Sequence, residues 1–141
     1  DGARFVPDAE PVAPAVSLRQ AAISETTLAL DVVGHGLTDV YGVSARLDVD
    51  EATIGIVSFG GPFDITMGAA QPSGDLVLVA TRQGKSEGSD VDGTVLGSLQ
   101  LTRVPGQSSP IRFIVDRSDV VDAAGGIAPG VQWIGGELVV P

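Results

Sequence analysis

Few side chains in this sequence could take part in acid–base catalysis. His35 is the only histidine, and it stands between Gly34 and Gly36 in a stretch that is typical of a loop. A hydrolytic triad would need a serine and a carboxylate beside this imidazole, and the sequence contains no nucleophile-elbow motif. A surface position for His35 is therefore favoured over a catalytic one, and we predict that the chain is not an enzyme.

Aspartate-rich stretches are the second place where chemistry could occur. Asp90 and Asp92 precede Gly93, and residues 116–122 contain three further aspartates. Calcium takes about six to eight oxygen ligands, and alternating aspartates ahead of a glycine can supply some of them. Neither stretch has the full spacing of an EF-hand, which ends in a bidentate glutamate. A solvated acidic turn is the simpler interpretation, and a calcium site at either stretch, with Asp90 and Asp92 as the named ligands, is the alternative.

Trp133 is the only tryptophan, and its ring could stack on a sugar. Carbohydrate-binding surfaces usually align several aromatic side chains on one face, whereas aromatic residues make up only 4% of this chain. Trp133 also lies in a strand-like stretch, where it alternates with Val131 and Gly135. Burial inside the domain is therefore the favoured interpretation. A carbohydrate-binding role would require Trp133 to be exposed beside Tyr41.

The charge balance excludes several kinds of partner. Eighteen acidic and eight basic residues give the 141-residue chain a formal net charge of −10. Nucleic acids and anionic membranes both attract basic segments, so neither is an expected partner. Cysteine is absent, which excludes disulfides and, with a single histidine, disfavours zinc. No apolar run approaches the roughly 20 residues of a membrane-spanning helix. Repulsion between like-charged molecules keeps such an acidic protein soluble, which fits a protein outside the cytoplasm. We therefore expect an extracytoplasmic location.

Short strand-like segments follow one another from Ala15 onward. With 43% hydrophobic residues the chain can bury a core, and its 19 glycines favour many tight turns, so we predict an all-β sandwich. Prolines make residues 1–14 a predicted linker or N-terminal arm, and residues 15–141 form the predicted domain. The predicted strands span residues 16–22, 27–33, 40–47, 54–59, 63–70, 75–82, 94–104, 111–115 and a final stretch within 131–140, with polar loops at 83–92 and 116–126 and a helical turn at 48–53.

The order of these elements resembles that of cohesin modules over most of residues 15–141. The stretches that carry the resemblance are residues 27–33, 42–48, 54–60, 93–101 and the closing 135–140, which follows an acidic, glycine-containing turn. The resemblance implies a single cohesin-like antiparallel β-sandwich of jelly-roll topology, with about nine strands. It also implies a non-catalytic module that recognises or scaffolds other proteins in a secreted or envelope setting.

Cohesins that bind dockerins do so through one sheet, and the resemblance implies where such contacts would fall here. Val40 and Gly42 stand where the family has Asn and Asp, so we expect a dockerin-like or other protein partner rather than a standard cellulosomal dockerin. Polysaccharide binding on the same fold and a purely structural spacer role stay as alternatives. The implied partner-binding residues are Val40, Gly42, Ser44 and Arg46 on the strand that ends at Asp48, and Arg82, Gln83, Lys85 and Glu87 in a second region.

Overall fold

The computed structural model describes residues 1–49, 75–84 and 86–141, together with the backbone of 59–60 and 65–70. Apart from one 3-10 turn at Val115–Arg117, the regular structure of this part of the chain consists of strands, which confirms the predicted all-β class. No helix there is long and apolar enough to cross a membrane. The strands are β1 (Arg4–Pro7), β2 (Ala15–Ile23), β3 (Thr27–His35), β4 (Leu37–Val49), β5 (Phe59–Gly60), β6 (Ile65–Ala70), β7 (Asp75–Thr81), β8 (Ser89–Val91), β9 (Thr94–Thr102), β10 (Ser109–Phe113), β11 (Asp119–Asp122), β12 (Gln132–Ile134) and β13 (Gly136–Val139).

The strands form two sheets. The larger sheet has the order β1-β13-β10-β4-β7-β6, and β4 is long enough to pair with β11 beyond β10 and with β8 beyond β7. The smaller sheet has the order β12-β2-β3-β9-β5. Neighbouring strands are antiparallel, except that β12 runs parallel to β2. The predicted strand at 54–59 and helical turn at 48–53 lie largely outside the described residues.

An aliphatic core fills the space between the sheets. Alternation along each strand directs every second side chain inward, so the buried residues follow a period of two. Full burial of such a side chain contributes about 1.5–3 kcal/mol of hydrophobic free energy. The central members of the core, none more than 3% exposed, are Leu28, Leu30 and Val32 on β3, Val43, Ala45 and Leu47 on β4, Leu76, Leu78 and Ala80 on β7, and Leu96, Leu99 and Leu101 on β9.

Strand β4 contains a β-bulge that changes which of its side chains face the core. Gly42 pairs with Val121 of β11. The next pair is Val40 with Asp122, so Tyr41 is an extra residue on β4. A bulge of this kind reverses the alternation of the strand beyond it. Val40 is therefore in the core and 0% exposed, and the prediction that it faces outward is wrong.

The chain changes sheets at two consecutive glycines near its end. The predicted final strand is two strands, because β12 belongs to the smaller sheet and β13 to the larger. A Cβ at Gly135 would lie 2.6 Å from the carbonyl oxygen of Ile111, and one at Gly136 would collide with the carbonyl oxygen of Val6. Only glycine allows the backbone to pass this closely. The predicted loops at 83–92 and 116–126 were also wrong in part, since they contain β8 and β11.

The first residues of the chain lie beside its last ones. Strand β1 pairs with β13, and Arg4 is the Cα partner of Val139. Ahead of β1, the Asp1 carboxylate lies 2.6 Å from a guanidinium nitrogen of Arg103. The Arg103 side chain is 1% exposed, so this ion pair holds the start of the chain against the interior. Residues 8–14 then connect β1 to β2.

Candidate recognition face

The outer face of the larger sheet carries rows of side chains that point away from the core. Residues directly opposite one another in an antiparallel pair lie on the same face, so the strand register defines these rows. We call this surface the recognition face. Its rows are Val121, Gly42 and Thr81; Asp119, Ser44 and Val79; Arg46 and Val77; and Arg112, Asp48 and Asp75.

One end of the recognition face is apolar and concave. A depression of about 210 Å³ lies there between β11, β4 and β7. Its floor is at Gly42, where a Cβ would lie 3.3 Å from the Thr81 hydroxyl oxygen and 3.4 Å from the Ala80 carbonyl oxygen. The absence of a side chain at this position therefore creates the depression. The residues that line it include Tyr41, Ser44, Val79 and Val121, and the 63% exposed Ile127 forms a backbone bridge with Val121.

The other end of the recognition face is charged. The Arg46 guanidinium lies 3.7 Å from the Asp75 carboxylate, and both side chains remain partly exposed. Arg112 makes two hydrogen bonds of 2.9 Å to Asp8. The hydrogen bond and the negative charge of Asp8 raise the pKa of Arg112 above its ordinary value, so Arg112 stays positively charged at any physiological pH. Aspartates at 48 and 75 add negative charge to the same end.

Hydrogen bonds continue along β4 between its pairing with β10 and its pairing with β11. Arg46 N–H donates to the hydroxyl of Ser118 at 3.1 Å, and the Ile114 N–H donates to the Arg46 carbonyl at 2.8 Å. Ser118 is only 5% exposed, and its own hydroxyl donates to the Ile114 carbonyl. The segment between β10 and β11 is thereby fixed to β4, so that β4 has partners on this edge from Val40 to Val49.

The structure brings some of the predicted partner-binding residues together on this face. Ser44 and Arg46 lie on it as half-buried side chains, whereas Gly42 is buried and contributes only a space. Arg82 and Glu87 lie in the connection from β7 to β8, where the Arg82 guanidinium donates to the Glu87 carbonyl at 2.9 Å.

This second predicted region borders the apolar end of the recognition face. The Arg82 N–H donates to the Tyr41 carbonyl at 2.9 Å, so the connection begins beside the depression. Gln83 is exposed in the same connection, and Lys85 lies outside the described residues. Partner contact at any of these positions stays a prediction.

Sequence reasoning overlooked several residues of the recognition face. Val77 and Val79 face outward because they alternate with Leu76, Leu78 and Ala80, a pattern that the sequence contains. Alternation of this kind in an apolar strand indicates one face that is buried in the core and one that can contact a partner. The position of Val121 on this face could not be predicted, because its strand lies within an acidic stretch that is typical of a turn.

His35 does not stand alone. Its Nε2 atom lies 2.8 Å from the hydroxyl oxygen of Ser17, at the outer face of the smaller sheet. Within the described residues, no carboxylate accepts a hydrogen bond from this ring, so none of them completes a triad with Ser17 and His35. Trp133 packs edge-on against Phe113 with ring centroids 5.2 Å apart. It belongs to the smaller sheet, whereas Tyr41 belongs to the larger one, so the two do not form a shared sugar platform.

The aspartates predicted as calcium ligands accept hydrogen bonds from backbone N–H groups. Asp90 accepts a hydrogen bond from Asp39 N–H at 3.2 Å, and Asp92 accepts one from Gly36 N–H at 3.1 Å. Asp39 has a φ of +54° and in turn accepts the N–H of Gly88. No group of three or more acidic or histidine side chains suited to a metal occurs in the described ranges. The carboxylates therefore fasten the start of β4 to β8, and the calcium alternative gains no support.

Comparison with solved structures identifies the architecture. The second type II cohesin module of the adaptor scaffoldin ScaA of Acetivibrio cellulolyticus superposes with a TM-score of 0.71 at 14% identity, covering 94% of this chain and 93% of that one. The sixth cohesin of scaffoldin B of the same organism, in complex with a mutant Cel5 dockerin, gives 0.64 at 11% identity over 84% and 93%. CaCohA2 of Clostridium acetobutylicum gives 0.63 at 12% identity over 89% and 90%.

These likenesses establish a cohesin-like fold, as the order of motifs in the sequence predicted. No family model and no curated protein sequence matches the chain. The identities of 11–14% in these comparisons are those of a divergent sequence on a shared sandwich.

Proposed function

We propose that this domain is a non-catalytic recognition module that binds a protein partner through the recognition face. The observation that carries the proposal is that one sheet face combines an apolar depression at Gly42 with a charged end at Arg46 and Asp75. Apolar contact supplies most of the free energy of association, while charged groups set orientation and exclude wrong partners. Solved neighbours of this fold in complex with dockerins support the same use of the domain.

The chemistry of the recognition face suggests the chemistry of the partner. A depression of about 210 Å³ has room for one aliphatic side chain. Asp48 and Asp119 lie on the face and form no ion pair with the described residues, and the chain carries a net charge of −10. A partner surface with one protruding aliphatic residue flanked by basic residues fits both features. A dockerin-like helix pair is one surface of this kind, and an extracytoplasmic setting belongs to the same proposal.

A pair of matched substitutions tests the proposal. Ser44→Trp places a large ring at the centre of the recognition face, and Ala29→Trp places the same ring on the outer face of the smaller sheet, where Ala29 is also half-buried. Both variants and the unchanged domain are used to capture proteins from secreted and envelope fractions of the source organism. A partner that binds the unchanged domain and A29W, but not S44W, supports the proposal.

Other outcomes contradict it in different ways. A partner retained by S44W and lost from A29W would move recognition to the smaller sheet. Recovery of polysaccharide alone would favour a carbohydrate-binding module. Capture of nothing by any of the three proteins would favour a structural spacer. Unchanged circular dichroism and melting temperature of both variants are required, because a misfolded variant would also lose its partner.

A further inference from the structure

A second concave site lies on the opposite side of the sandwich. Residues 8–14, here called the strap, cross the outer face of the smaller sheet and enclose a cavity of about 360 Å³ with it. Pro7, Glu10 and Pro11 line it on one side, and Ser17, Val33 and His35 line it on the other. The recognition face belongs to the other sheet, so this cavity is independent of the proposed partner site.

The strap is held at its two ends and spans the cavity between them. At its start the Asp8 N–H donates to the Gly135 carbonyl, and the Asp8 carboxylate binds Arg112. At its end the Pro14 carbonyl accepts the N–H of Gln132 at 2.9 Å. Residues 9–13 make no hydrogen bond to any other described residue. Pro11 and Pro14 restrict the backbone conformations that the strap can adopt.

The floor of the cavity combines apolar and polar groups that the strap shields from water. Val33 and Ser17 point outward from the sheet, yet they are only 1% and 5% exposed. The Ser17 oxygen is bonded to His35 Nε2 at 2.8 Å. In either tautomer of the imidazole, the Ser17 oxygen keeps a lone pair that can accept a further hydrogen bond. The cavity therefore offers a buried acceptor beside an aliphatic surface.

The charges at the rim leave one carboxylate uncompensated. Arg19 also lines the cavity, and its guanidinium lies 3.3 Å from the Asp31 carboxylate, which offsets its charge. Glu10 has no ion-pair partner among the described residues. Glu10 is therefore the acidic residue of the cavity lining that no described cation neutralises, and the whole chain, at −10, attracts cations.

We propose that the strap cavity binds an organic cation, an ammonium or guanidinium group on a short apolar stem, of the size of a lysine or arginine side chain. The stem packs against Pro7, Pro11 and Val33, the Ser17 oxygen accepts a hydrogen bond from the cationic group, and the Glu10 carboxylate offsets its charge. The volume is at the lower end of the range of about 300–1,000 Å³ for small-molecule sites, which suits one such side chain rather than a larger ligand.

NMR titration of the domain with two matched probes tests this site. Nα-acetyl-lysine N-methylamide carries the cation, and the norleucine analogue has a similar stem without it. The lysine probe should shift the amide resonances of Ser17, Arg19 and Val33 and leave those of Ser44 and Val79 unchanged. The norleucine probe should bind more weakly at the same resonances.

Three variants separate this site from general attraction to an acidic protein. Glu10→Gln should weaken the lysine probe about two- to fivefold, the effect of an exposed ion pair. Ser17→Ala should weaken it about tenfold, the effect of a hydrogen bond to a charged group. Glu25→Gln, which removes an exposed carboxylate from the turn after β2, should have no effect. Equal affinity of the two probes, shifts spread over the acidic surface, or equal loss in E10Q and E25Q would each overturn the proposal.

Discussion

Removal of the Asp1 carboxylate should destabilise the whole domain, because it leaves a buried arginine without its counter-charge. The Arg103 side chain is 1% exposed and that of Asp1 is 23% exposed, and the two are joined at 2.6 Å. A second guanidinium nitrogen donates to the Ser24 carbonyl at 2.6 Å. The Arg103 Nε atom is buried and has no partner among the described residues. Without Asp1, one carbonyl would be the remaining acceptor for a whole guanidinium.

The size of the effect follows from this geometry. Breaking a buried ion pair by removing one partner costs about 3–5 kcal/mol of unfolding free energy. Because Asp1 is partly exposed, water can enter the vacated space, and we expect Asp1→Ala to cost about 3 kcal/mol. For a domain of this size that corresponds to about 10 °C in Tm.

Urea denaturation measures this loss, since urea, unlike guanidinium chloride, does not screen ion pairs. The control is Asp8→Ala, which breaks the pair with Arg112, whose side chains are 47% and 41% exposed. An exposed pair contributes about 0–1 kcal/mol, so D8A should change stability little. Adding Arg103→Met to D1A should restore part of the loss, because no buried charge then remains. Equal stability of D1A and D8A would refute the reasoning.

Two further predictions follow from packing and from the acidic loops. Gly34→Ala should destabilise the domain by about 1–3 kcal/mol in the same urea assay, because the new Cβ would lie 2.5 Å from Val91 Cγ1 and 3.1 Å from Leu37 Cδ1. If the variant is as stable as the wild type, the side chains of Val91 and Leu37 can move aside without cost, and the prediction is wrong. Millimolar calcium should leave the Tm unchanged in a thermal scan, because Asp90 and Asp92 belong to no group of three or more acidic or histidine side chains among the described residues. A rise in Tm of several degrees, reversed by chelator, would restore the calcium alternative.

Much of the fold could be predicted from the sequence because most strands alternate without interruption. The inward side chains of β3 follow directly from Leu28, Leu30 and Val32, all fully buried. The failures occur where the alternation is broken by tertiary contacts. Val40 turns inward because a bulge with β11 adds a residue, and β11 itself lies about eighty residues further along the chain. The position of a bulge depends on the partner strand, and the residues of β4 alone do not show which strand that is.

The candidate sites could likewise be predicted only where their residues belong to a single strand. Ser44 and Arg46 could be placed on an outward face from their own strand. The depression could not be predicted, because it needs Gly42 to lie between Thr81 and Val121. The contact of Ser17 with His35 likewise joins two strands, and nothing in the loop-like surroundings of His35 indicates it.

The pairing of β1 with β13 decides how this module would sit in a longer polypeptide. Arg4 and Val139 are Cα partners, and a Cβ on Gly2 would lie 3.4 Å from the Pro141 side chain. Chain attached to either end would thus leave from the same corner of the sandwich. A domain with adjacent ends can be inserted into a surface loop of a host protein without stretching it. In such a fusion the host would be attached at the β1–β13 edge of the larger sheet, and β10 would separate this edge from β4.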